Sequence, residues 1–364
     1  MVAPAMGEDA DRLIEFVSSV SGDAYLKVEE SLGDGFVRLK VSEAERRQAK
    51  HDIRSVEDIV VELLRNARDA HAQRIFVATT RDGDERFLTV VDDGVGVPQH
   101  LHEAVFEPRV TSKLETMVVD RWGVHGRGMA LFSVRSNASV ARIACSEPHK
   151  GCSVQVIADV TRLSERADQS SWPEVEPDEA GAMRVVRGPH NIARRVVEFA
   201  CEHPEVEVYL GSVVETVATL HAVARSVLEP SDLLFCDDPH SAPIWQRPAV
   251  CADADELVEV ATTMGLAISE RSAHRILAGE IAPLRSVLDS LAPAPRPAAT
   301  TAPDIFRDRR SLKLARADAA AFAAELEEAF DFLAERYYIK LRGEPRITVL
   351  GDEIRVRFLF EKDE

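Results

Sequence analysis

The sequence predicts an α+β fold, and two neighbouring segments carry that prediction. Residues 55–72 repeat apolar side chains at intervals of three and four, which is typical of an amphipathic helix. Two apolar runs follow at residues 74–80 and 86–94, and the polar residues 81–85 between them are typical of a hairpin connection. Because similar helical and extended patterns return later in the chain, we expect helices and strands to build the protein together.

The helix at residues 55–72 also carries a start signal, because Ser55 and Asp58 resemble a capping box with Asp in the usual Glu position. Residues 164–182 are polar and acidic, so we expect an exposed loop there. The same two periodicities assign the remaining elements. Further helices are predicted at residues 8–20, 126–138, 191–201, 216–227, 253–288 and 316–336. Further strands are predicted at residues 33–41, 139–145, 152–160, 206–212, 338–341, 347–350 and 354–360.

The composition bounds the classes of function. The chain has 364 residues with 45% hydrophobic and 29% charged residues, which is ordinary for a protein that buries a core and is long enough for two or three domains. The net charge of −18 argues against electrostatic coating of nucleic acid or of an anionic membrane. Residues 304–364 hold 12 basic and 14 acidic residues, so the acidic excess belongs to the part before them.

Cysteine usage and the amino terminus indicate the compartment. The five cysteines include no CxxC spacing, so we expect free thiols in a reducing compartment rather than a zinc site or a disulfide framework. The first residues lack a basic region followed by an apolar run, and no apolar stretch approaches the roughly 20 residues that span a membrane. We therefore expect a cytoplasmic protein without a membrane partner.

Three polar clusters are candidates for a functional site. Glu62, Asn66 and Asp69 recur at i, i+4 and i+7, which places them along one stripe of the predicted helix. Residues 92–98 (DDGVGVP) put a carboxylate at a strand end and two glycines directly after it. Glycines there let backbone approach a flat ligand closely, and a carboxylate accepts from an exocyclic amine. Taken singly, the first cluster is equally typical of a solvated helix face and the second of an acidic turn.

The third cluster is the glycine-rich run at residues 123–128 (GVHGRG), which opens the helix predicted from residue 126. Glycines before a helix free backbone N–H groups to point at an anion, and the helix dipole adds to the attraction. A flexible hinge is the alternative. No GxxxxGK[ST] sequence occurs in the chain, so the run is not a P-loop. The stretch at residues 99–122 before it has no firm period, and loops of that length are usually functional.

In this order, the three clusters resemble the motifs of the GHKL ATPase superfamily, whose members include gyrase B, MutL, heat-shock chaperones and sensor histidine kinases. Residues 62–70 resemble its N-box, residues 92–96 its first glycine box and residues 123–128 its second. The resemblance covers about residues 50–160 and implies a Bergerat-type ATP-binding α/β sandwich, a mixed sheet covered by helices.

Within the superfamily, the details favour the MutL and gyrase B branches. An acid precedes Asn66 by four residues, as in the ATP-hydrolysing members. Residues 123–128 are similar to the second glycine box of gyrase B, and residues 109–113 (RVTSK) resemble the loop before that box in MutL. No helical hairpin with a phospho-acceptor His precedes the motifs, which disfavours a kinase.

The resemblance implies a role for each candidate residue. Glu62 would be the general base, Asn66 would hold Mg²⁺, and Asp92 would accept from the adenine amino group. Gly94 and Gly96 would let the base lie close, and residues 99–122 would form a lid over ATP. The second glycine box would donate backbone N–H groups to the phosphates. The nucleotide-contacting residues beyond these are Thr111, Lys113, Gly123, Val124, His125, Gly126, Arg127, Gly128 and Ser153.

Two positions depart from the pattern of the superfamily. A Thr that commonly supports the adenine-binding Asp is missing, so either Cys152 replaces the hydroxyl or Ser153 supplies it with a shifted register. Asp93 stands where Asn is usual, which adds negative charge near the nucleotide.

The predicted function is Mg²⁺-dependent ATP binding and hydrolysis that drives lid closure and dimerisation, with a homodimer or another protein as partner. The alternative is a nucleotide-binding signalling or chaperone-like module with little or no hydrolysis. ATP and ADP are the expected ligands. A DNA role would need a local basic patch or a more basic partner subunit, since the net charge does not support it.

The predicted domains are an ATP-binding domain at residues 1–228, a helical module at 229–291, a Pro/Ala linker at 292–303 and a small α/β segment at 304–364. Residues 257–279 of the module have the rhythm of a helix-turn-helix with its turn near Gly265. Arg271, His274 and Arg275 of its second helix are the candidate local patch for DNA, and a helical packing module is the alternative.

Overall fold

The computed structural model describes residues 28–112, 118–120, 123–125, 128–178, 181–229, 238–291, 316–343, 345–350 and 353–362. The helix predicted at residues 8–20 and the predicted linker at residues 292–303 lie outside the described residues. The chain divides into two compact units, Met1–Pro293 and Ala294–Glu364. The limits of the four predicted domains remain predictions.

The elements alternate between helices and strands, as the sequence predicts for an α+β fold. The helices are α1 (Glu43–Asp52), α2 (Val56–Asp69), α3 (Ala130–Asn137), α4 (Ile192–Glu202), α5 (Val213–Val227), α6 (Arg247–Val250), α7 (Ala254–Thr263), α8 (Glu270–Leu277), α9 (Val287–Leu291) and α10 (Arg316–Tyr337). The strands are β1 (Val28–Gly33), β2 (Phe36–Leu39), β3 (Arg74–Asp82), β4 (Glu85–Asp92), β5 (Val110–Thr111), β6 (Val118–Asp120), β7 (Gly123–His125), β8 (Val140–Ser146), β9 (Cys152–Asp159), β10 (Glu174–Pro177), β11 (Met183–Arg187), β12 (Glu207–Gly211), β13 (Ile339–Leu341), β14 (Arg346–Leu350), β15 (Glu353–Arg357) and β16 (Phe360–Lys362).

The central feature of the first unit is a mixed five-stranded sheet in the order β12-β3-β4-β9-β8. β12 runs parallel to β3, and the other neighbours are antiparallel. The predicted hairpin of β3 and β4 is confirmed, and Gly83 at its turn takes a positive φ of 56°. The mixed sheet flanked by helices agrees with the predicted fold class.

Side chains of β3 alternate between two apolar cores, one on each face of the sheet. Ile75 and Val77 lie on the face covered by α2 and α4, which we call the front face. Phe76 and Ala78 lie on the back face, where α5, α7 and α8 cover the sheet. The continuous apolar run that predicted this strand therefore reflects burial on both sides.

Helix α2 forms where the sequence predicts it, because its start and its buried face are both encoded locally. The backbone N–H of Asp58 donates to Ser55 Oγ at 3.3 Å, and the Ser55 N–H donates to the Asp58 carboxylate at 3.0 Å. The buried positions Ile59, Leu63 and Leu64 follow the three-and-four spacing. Each fully buried aliphatic side chain of this kind contributes about 1.5–3 kcal/mol.

The stretch at residues 99–122 is more ordered, as far as it is described, than a loop without a period. Single 3-10 turns at Gln99–Leu101 and Ala104–Phe106 bury Leu101 and Phe106 in a third apolar cluster. Strand β5 pairs with β2, and β1, β2 and β5 form a three-stranded sheet. Strands β6 and β7 pair with each other.

Several predicted boundaries are wrong for physical reasons. Helix α3 begins at Ala130 rather than 126, and Gly128 before it has a φ of 66°, which an α-helix excludes. The helix predicted at 253–288 is broken at Gly265 (φ 73°) and Gly279 (φ 70°) into α7, α8 and α9. The loop predicted at 164–182 contains β10, which pairs with β11.

Helix α1 and strand β1 were not predicted from the sequence. Helix α1 buries only Ala49, so it lacks the apolar stripe on which periodicity depends, although Ser42 and Glu45 form a full capping box. The second unit holds α10 and two antiparallel strand pairs, β13 with β16 and β14 with β15. Phe330 of α10 stacks on Phe358 at 5.2 Å between ring centroids. No described helix is long and apolar enough to cross a membrane.

Candidate functional site

Asp92 ends β4 and is the polar centre of the site. It is 4% exposed, and among the described residues only the Gly94 N–H donates to its carboxylate, at 2.9 Å from Oδ1. Burial, together with the neighbouring charge of Asp93, raises the pKa of Asp92 to about 7, against the lowering effect of the Gly94 hydrogen bond. A carboxylate so costly to bury and so poorly paired is typical of a ligand-binding group.

A cavity of about 80 Å³ lies against the Asp92 carboxyl group. Its walls are apolar side chains of α2, β4, α3, β8 and β9, and its polar lining groups include Asn66 and Asp92. Apolar walls around one buried acceptor suit a flat heterocycle that carries an N–H donor. The contributors to the walls include Leu63, Val90, Leu131, Ile143, Cys152 and Val154.

The loop after Asp92 is held by contacts that admit only glycine. A Cβ on Gly94 would lie 2.6 Å from the Ala70 carbonyl oxygen at the end of α2. Gly96 has a φ of 69°, and a Cβ there would overlap the carbonyl oxygen of Glu147. The glycines therefore fit this loop between α2 and the connection from β8 to β9, and their first partners are protein atoms.

The connection from β8 to β9, which we call the 147–151 turn, forms the outer support of this loop. The His149 N–H donates to the Val95 carbonyl at 2.7 Å. Ser146 Oγ accepts from the Val97 N–H at 2.8 Å and donates to the Gly151 carbonyl at 2.9 Å. The loop and the turn are thus joined by hydrogen bonds on both sides of Gly96.

A more polar cleft of about 160 Å³ adjoins the cavity, and Asn66, Ala70 and Gly96 line both. Glu62, Asn66 and Asp69 of α2 line the cleft together, as their spacing predicted. The Glu62 carboxylate accepts from Arg65 Nη1 at 2.6 Å, and Asp69 accepts from Arg68 Nη2 at 2.8 Å.

Asn66 is the polar side chain of this cleft whose bonding is incomplete. Its Nδ2 atom is buried without a hydrogen-bond partner among the described residues. Since an unsatisfied buried amide costs about 1–3 kcal/mol, a bound group that uses this amide would recover that energy. The described residues hold no cluster of three or more His, Cys, Asp or Glu side chains arranged for a metal ion. A divalent cation here would be held by the Asn66 amide oxygen and by the ligand's own oxygens, because the Nδ2 group is a donor.

The other predicted site residues are distributed unevenly. Thr111 and Gly128 line the cleft, and a Cβ on Gly128 would lie 2.8 Å from the Val110 carbonyl oxygen. Gly123, Val124 and His125 form β7, of which the structure describes the backbone. Lys113, Gly126 and Arg127 lie outside the described residues.

Ser153 does not accompany the others. It pairs with Val91 rather than with Asp92, is 0% exposed, and donates from Oγ to the Met264 carbonyl at 2.6 Å on the back face. Cys152 is the residue opposite Asp92, and it lines the cavity. The Ser153 prediction is therefore corrected: a shift of one residue moves a side chain to the other face of a sheet, and the register selects Cys152.

The extra negative charge of Asp93 is paired within the protein. Its Oδ1 accepts from the backbone N–H groups of Gln73 at 2.7 Å and Arg74 at 2.9 Å, and its Oδ2 lies 3.4 Å from Arg74 Nη1. Asp93 thus joins the start of β3 to the end of β4 through its carboxylate. Its charge still raises the pKa of Asp92.

Sequence reasoning missed two polar residues of the site. Arg65 is 4% exposed, lines the cleft and holds Glu62, and its position three residues after an acid on the same helix is a signal of that pair. Ser146 fixes Val97 and the 147–151 turn, and it gives no local signal because its partners come from other segments.

Parts of this chain are similar in sequence to known proteins. Residues 51–162 match the family described as histidine kinase-, DNA gyrase B-, and HSP90-like ATPase. Three similar curated proteins all carry the name DNA mismatch repair protein MutL. The protein from Thermus aquaticus is 42% identical over 87 residues, which are 24% of this chain and 16% of the relative. Those from Aquifex aeolicus and Aquifex pyrophilus are 29% identical over 215 residues and 26% identical over 192 residues.

The two Aquifex matches cover 55% and 49% of this chain, and 49% and 44% of the relatives. The chain thus spans about half or less of the curated relatives that it matches. The family match covers α2 and β3 through β9, which include Glu62, Asn66, Asp92 and Gly128. Residues 51–162 of this chain thus match the GHKL ATPase family, and parts of the chain are similar in sequence to MutL proteins.

Proposed function

We propose that the first unit binds ATP, with the base in the cavity beside Asp92 and the phosphates in the cleft beside Asn66. The observation that carries the proposal is the buried, under-bonded carboxylate of Asp92 in an apolar cavity that opens into a polar cleft. An adenine amino group donates where Asp92 accepts, and the apolar walls exclude water from the two rings.

We also propose that the unit hydrolyses ATP. Glu62 lies on the same side of α2 as Asn66, and its carboxylate is oriented by Arg65. A carboxylate held in this way can take a proton from water that attacks the γ-phosphate, so that the new P–O bond forms as the bond to ADP breaks. Asn66 would hold Mg²⁺, whose charge neutralises the phosphates when it is bound.

Two measurements test binding and hydrolysis separately. Calorimetry with ATP and Mg²⁺ measures binding, and release of phosphate measures hydrolysis. We expect wild type to do both, and Glu62→Ala to bind ATP without hydrolysing it. If wild type binds ATP but releases no phosphate, the alternative of a nucleotide-binding module with little hydrolysis replaces the enzymatic proposal.

The nucleotide state would act through residues 99–122, the predicted lid, of which Val105, Val110, Thr111 and Ser112 line the cleft. We propose that ATP closes this segment and promotes a homodimer or a complex with another protein. Sedimentation with and without a non-hydrolysable ATP analogue measures the change in mass. If the mass is unchanged at analogue concentrations well above the dissociation constant of the analogue, nucleotide-driven dimerisation is contradicted.

The relatives are named for DNA mismatch repair, and we propose that this ATPase unit serves a DNA-repair process. Two of the three basic residues of the predicted DNA patch on α8 lie beside acidic side chains, which argues against direct DNA binding there. Arg275 lies 3.3 Å from Glu280, and His274 lies 3.7 Å from Glu270. The test is to measure ATP hydrolysis with and without duplex DNA at low salt. Stimulation would indicate a direct contact with DNA, and we expect no stimulation through α8.

A further inference from the structure

The pocket that we assign to the base is supported from outside by residues 238–250, which we call the arm. This inference rests on the proposed ATP site and concerns what holds that site in shape. The arm lies beyond the family match at residues 51–162, and it packs against the 147–151 turn.

Arg247 of the arm is the strongest of these contacts. It is 3% exposed, and its Nη2 donates to Glu147 Oε1 at 2.6 Å and to the His240 carbonyl at 2.9 Å. Its Nε donates to the Ala242 carbonyl at 3.2 Å. A buried guanidinium with three acceptors on two segments fixes both, because removing it would leave two carbonyls of the arm without this donor and would break the link from the arm to Glu147.

A second contact lies beside the first. The backbone N–H of Ile244 donates to the Lys150 carbonyl at 2.8 Å, and the Ile244 side chain is fully buried in the back-face core. Lys150 in turn donates from Nζ to Glu147 Oε2 at 2.7 Å. Both ends of the 147–151 turn are therefore tied to the arm or to each other.

The turn transmits this support to the base pocket through short backbone contacts. Glu147 and Gly151 leave no room for a Cβ at Gly96, and Gly151 itself, with a φ of 89°, lies against the carbonyl of Asp92. His149 donates to the Val95 carbonyl at 2.7 Å. A shift of the turn would therefore move the loop that carries Gly94 and Gly96, and with it the donor to Asp92.

We infer that Arg247 is a positioning residue for the base pocket, and that the arm is a working part of the nucleotide site. Arg247 would act only through Glu147 and the 147–151 turn, since it does not line the cavity or the cleft. Its effect should fall on the base and spare the phosphates, which bind at the α2 side of the site.

The test compares two ligands on the full chain. Arg247→Met keeps the length of the side chain and removes its donors, and Arg247→Lys keeps one charge. The matched control is Arg86→Met, another buried arginine, which pairs with Glu165 at 2.9 Å at the far end of β4. Calorimetry measures the affinity for ATP and, separately, for inorganic tripolyphosphate, which has no base.

We expect Arg247→Met to weaken ATP binding by about tenfold, the order of an indirect coupling between neighbouring sites. Tripolyphosphate binding should stay at the wild-type value, Arg247→Lys should recover part of the loss, and Arg86→Met should change neither affinity. Hydrogen exchange should accelerate at residues 94–97 and 147–151 before the rest of the sheet. At saturating ATP the hydrolysis rate should remain that of wild type, so that KM rises and kcat does not.

Equal losses for ATP and tripolyphosphate, or wild-type ATP affinity in Arg247→Met, would overturn the inference. If Arg247→Met does not fold, Glu147→Gln weakens the same link from its more exposed side and should reduce ATP affinity in the same direction, whereas unchanged affinity would contradict the inference. Failure of the proposed function and failure of this inference give different results. Wild-type protein that binds no ATP refutes the proposed function itself, whereas the outcomes named above for the Arg247 and Glu147 variants refute only the role of Arg247.

Discussion

The two ends of the proposed site differ in how completely the protein builds them. The base end is closed by the protein itself: Gly94 abuts α2, Gly96 abuts the 147–151 turn, and Ser146 bonds both sides of that contact. The phosphate end is a wider cleft, in which the Asn66 Nδ2 atom has no hydrogen-bond partner among the described residues.

This difference indicates that the base end is preorganised and that the phosphate end is completed by its ligand. Substitutions at the base end should therefore alter folding as well as binding, since the same contacts serve both. Substitutions at the phosphate end should act mainly on turnover, because the groups that react there arrive with the nucleotide.

The largest expected effect is on turnover at the phosphate end. Glu62→Gln should lower the rate of ATP hydrolysis by about 10²–10⁴-fold, because the amide cannot take a proton from the attacking water. The affinity for ATP should stay close to wild type, and the fold should be retained because an amide oxygen at this position can still accept from Arg65. Steady-state phosphate release and calorimetry measure these quantities.

Asp69→Asn is the matched control for Glu62→Gln on the same helix face. Its carboxylate pairs with Arg68, and we give it no chemical step. A loss of hydrolysis as large in Asp69→Asn as in Glu62→Gln would contradict the assignment of Glu62 as the base.

At the base end, Asp92→Asn should weaken ATP binding by about a hundredfold, since a hydrogen bond to a buried charge is replaced by a mismatched amide. The fold should become more stable near neutral pH, because burial raises the pKa of Asp92 to about 7 and the ionised form is disfavoured in the folded protein. Denaturant unfolding and calorimetry on the same samples test both. A variant that loses binding because it unfolds would count against this account.

The contrast between the two ends also explains what the sequence alone could predict. Helix α2 and the Asp92 loop were predicted because spacing within a few residues specifies them: a capping box, an apolar stripe and a strand that ends in an acid and two glycines. The polar stripe of α2 that lines the cleft follows from the spacing of Glu62, Asn66 and Asp69 alone. Local patterns thus describe the chemistry of the site.

What the sequence did not predict depends on contacts between distant segments. The register of β9 on β4 decides that Cys152 and not Ser153 lies beside Asp92, and no local pattern fixes that register. Arg247 reaches Glu147 across 100 positions of the chain, so its role had no sequence signal. The contacts that support the base end could therefore not be predicted from the sequence, whereas the residues that carry its chemistry could.

Comparing Gly96→Ala with Gly83→Ala should separate the cost of steric overlap with the 147–151 turn from the cost of an alanine at positive φ. The new Cβ would overlap the Glu147 carbonyl, so we expect a loss of about 3 kcal/mol in the free energy of unfolding, measured with urea. Gly83→Ala is the control, because Gly83 also has a positive φ of 56° but has no atom within 4 Å of the new Cβ. That variant should lose only about 1 kcal/mol. Equal losses would mean that the turn does not press on the loop.

The pH dependence of ATP binding should report the ionisation of Asp92 at the base end. Adenine donates to the ionised form of Asp92, so ATP affinity should rise as pH increases to about 7 and then level off. Below that pH, each unit should cost up to about tenfold in affinity. Purine riboside triphosphate, which lacks the amino group, shares the phosphate titration and serves as the control. Identical pH profiles for the two nucleotides would remove Asp92 from the base contact.

The smallest effect is expected from Cys152, which lies in one row with Asp92 and Ser146 across β4, β9 and β8. A thiol is a weak donor, so Cys152→Ser should add one hydrogen bond beside the base and strengthen ATP binding by about threefold. Cys145→Ser is the matched control, because Cys145 pairs with Ser153 and its side chain packs with the back-face core. If the two variants change ATP affinity alike, the gain does not come from the base pocket. If neither variant changes ATP affinity, a donor at position 152 does not reach the base, and the prediction is wrong.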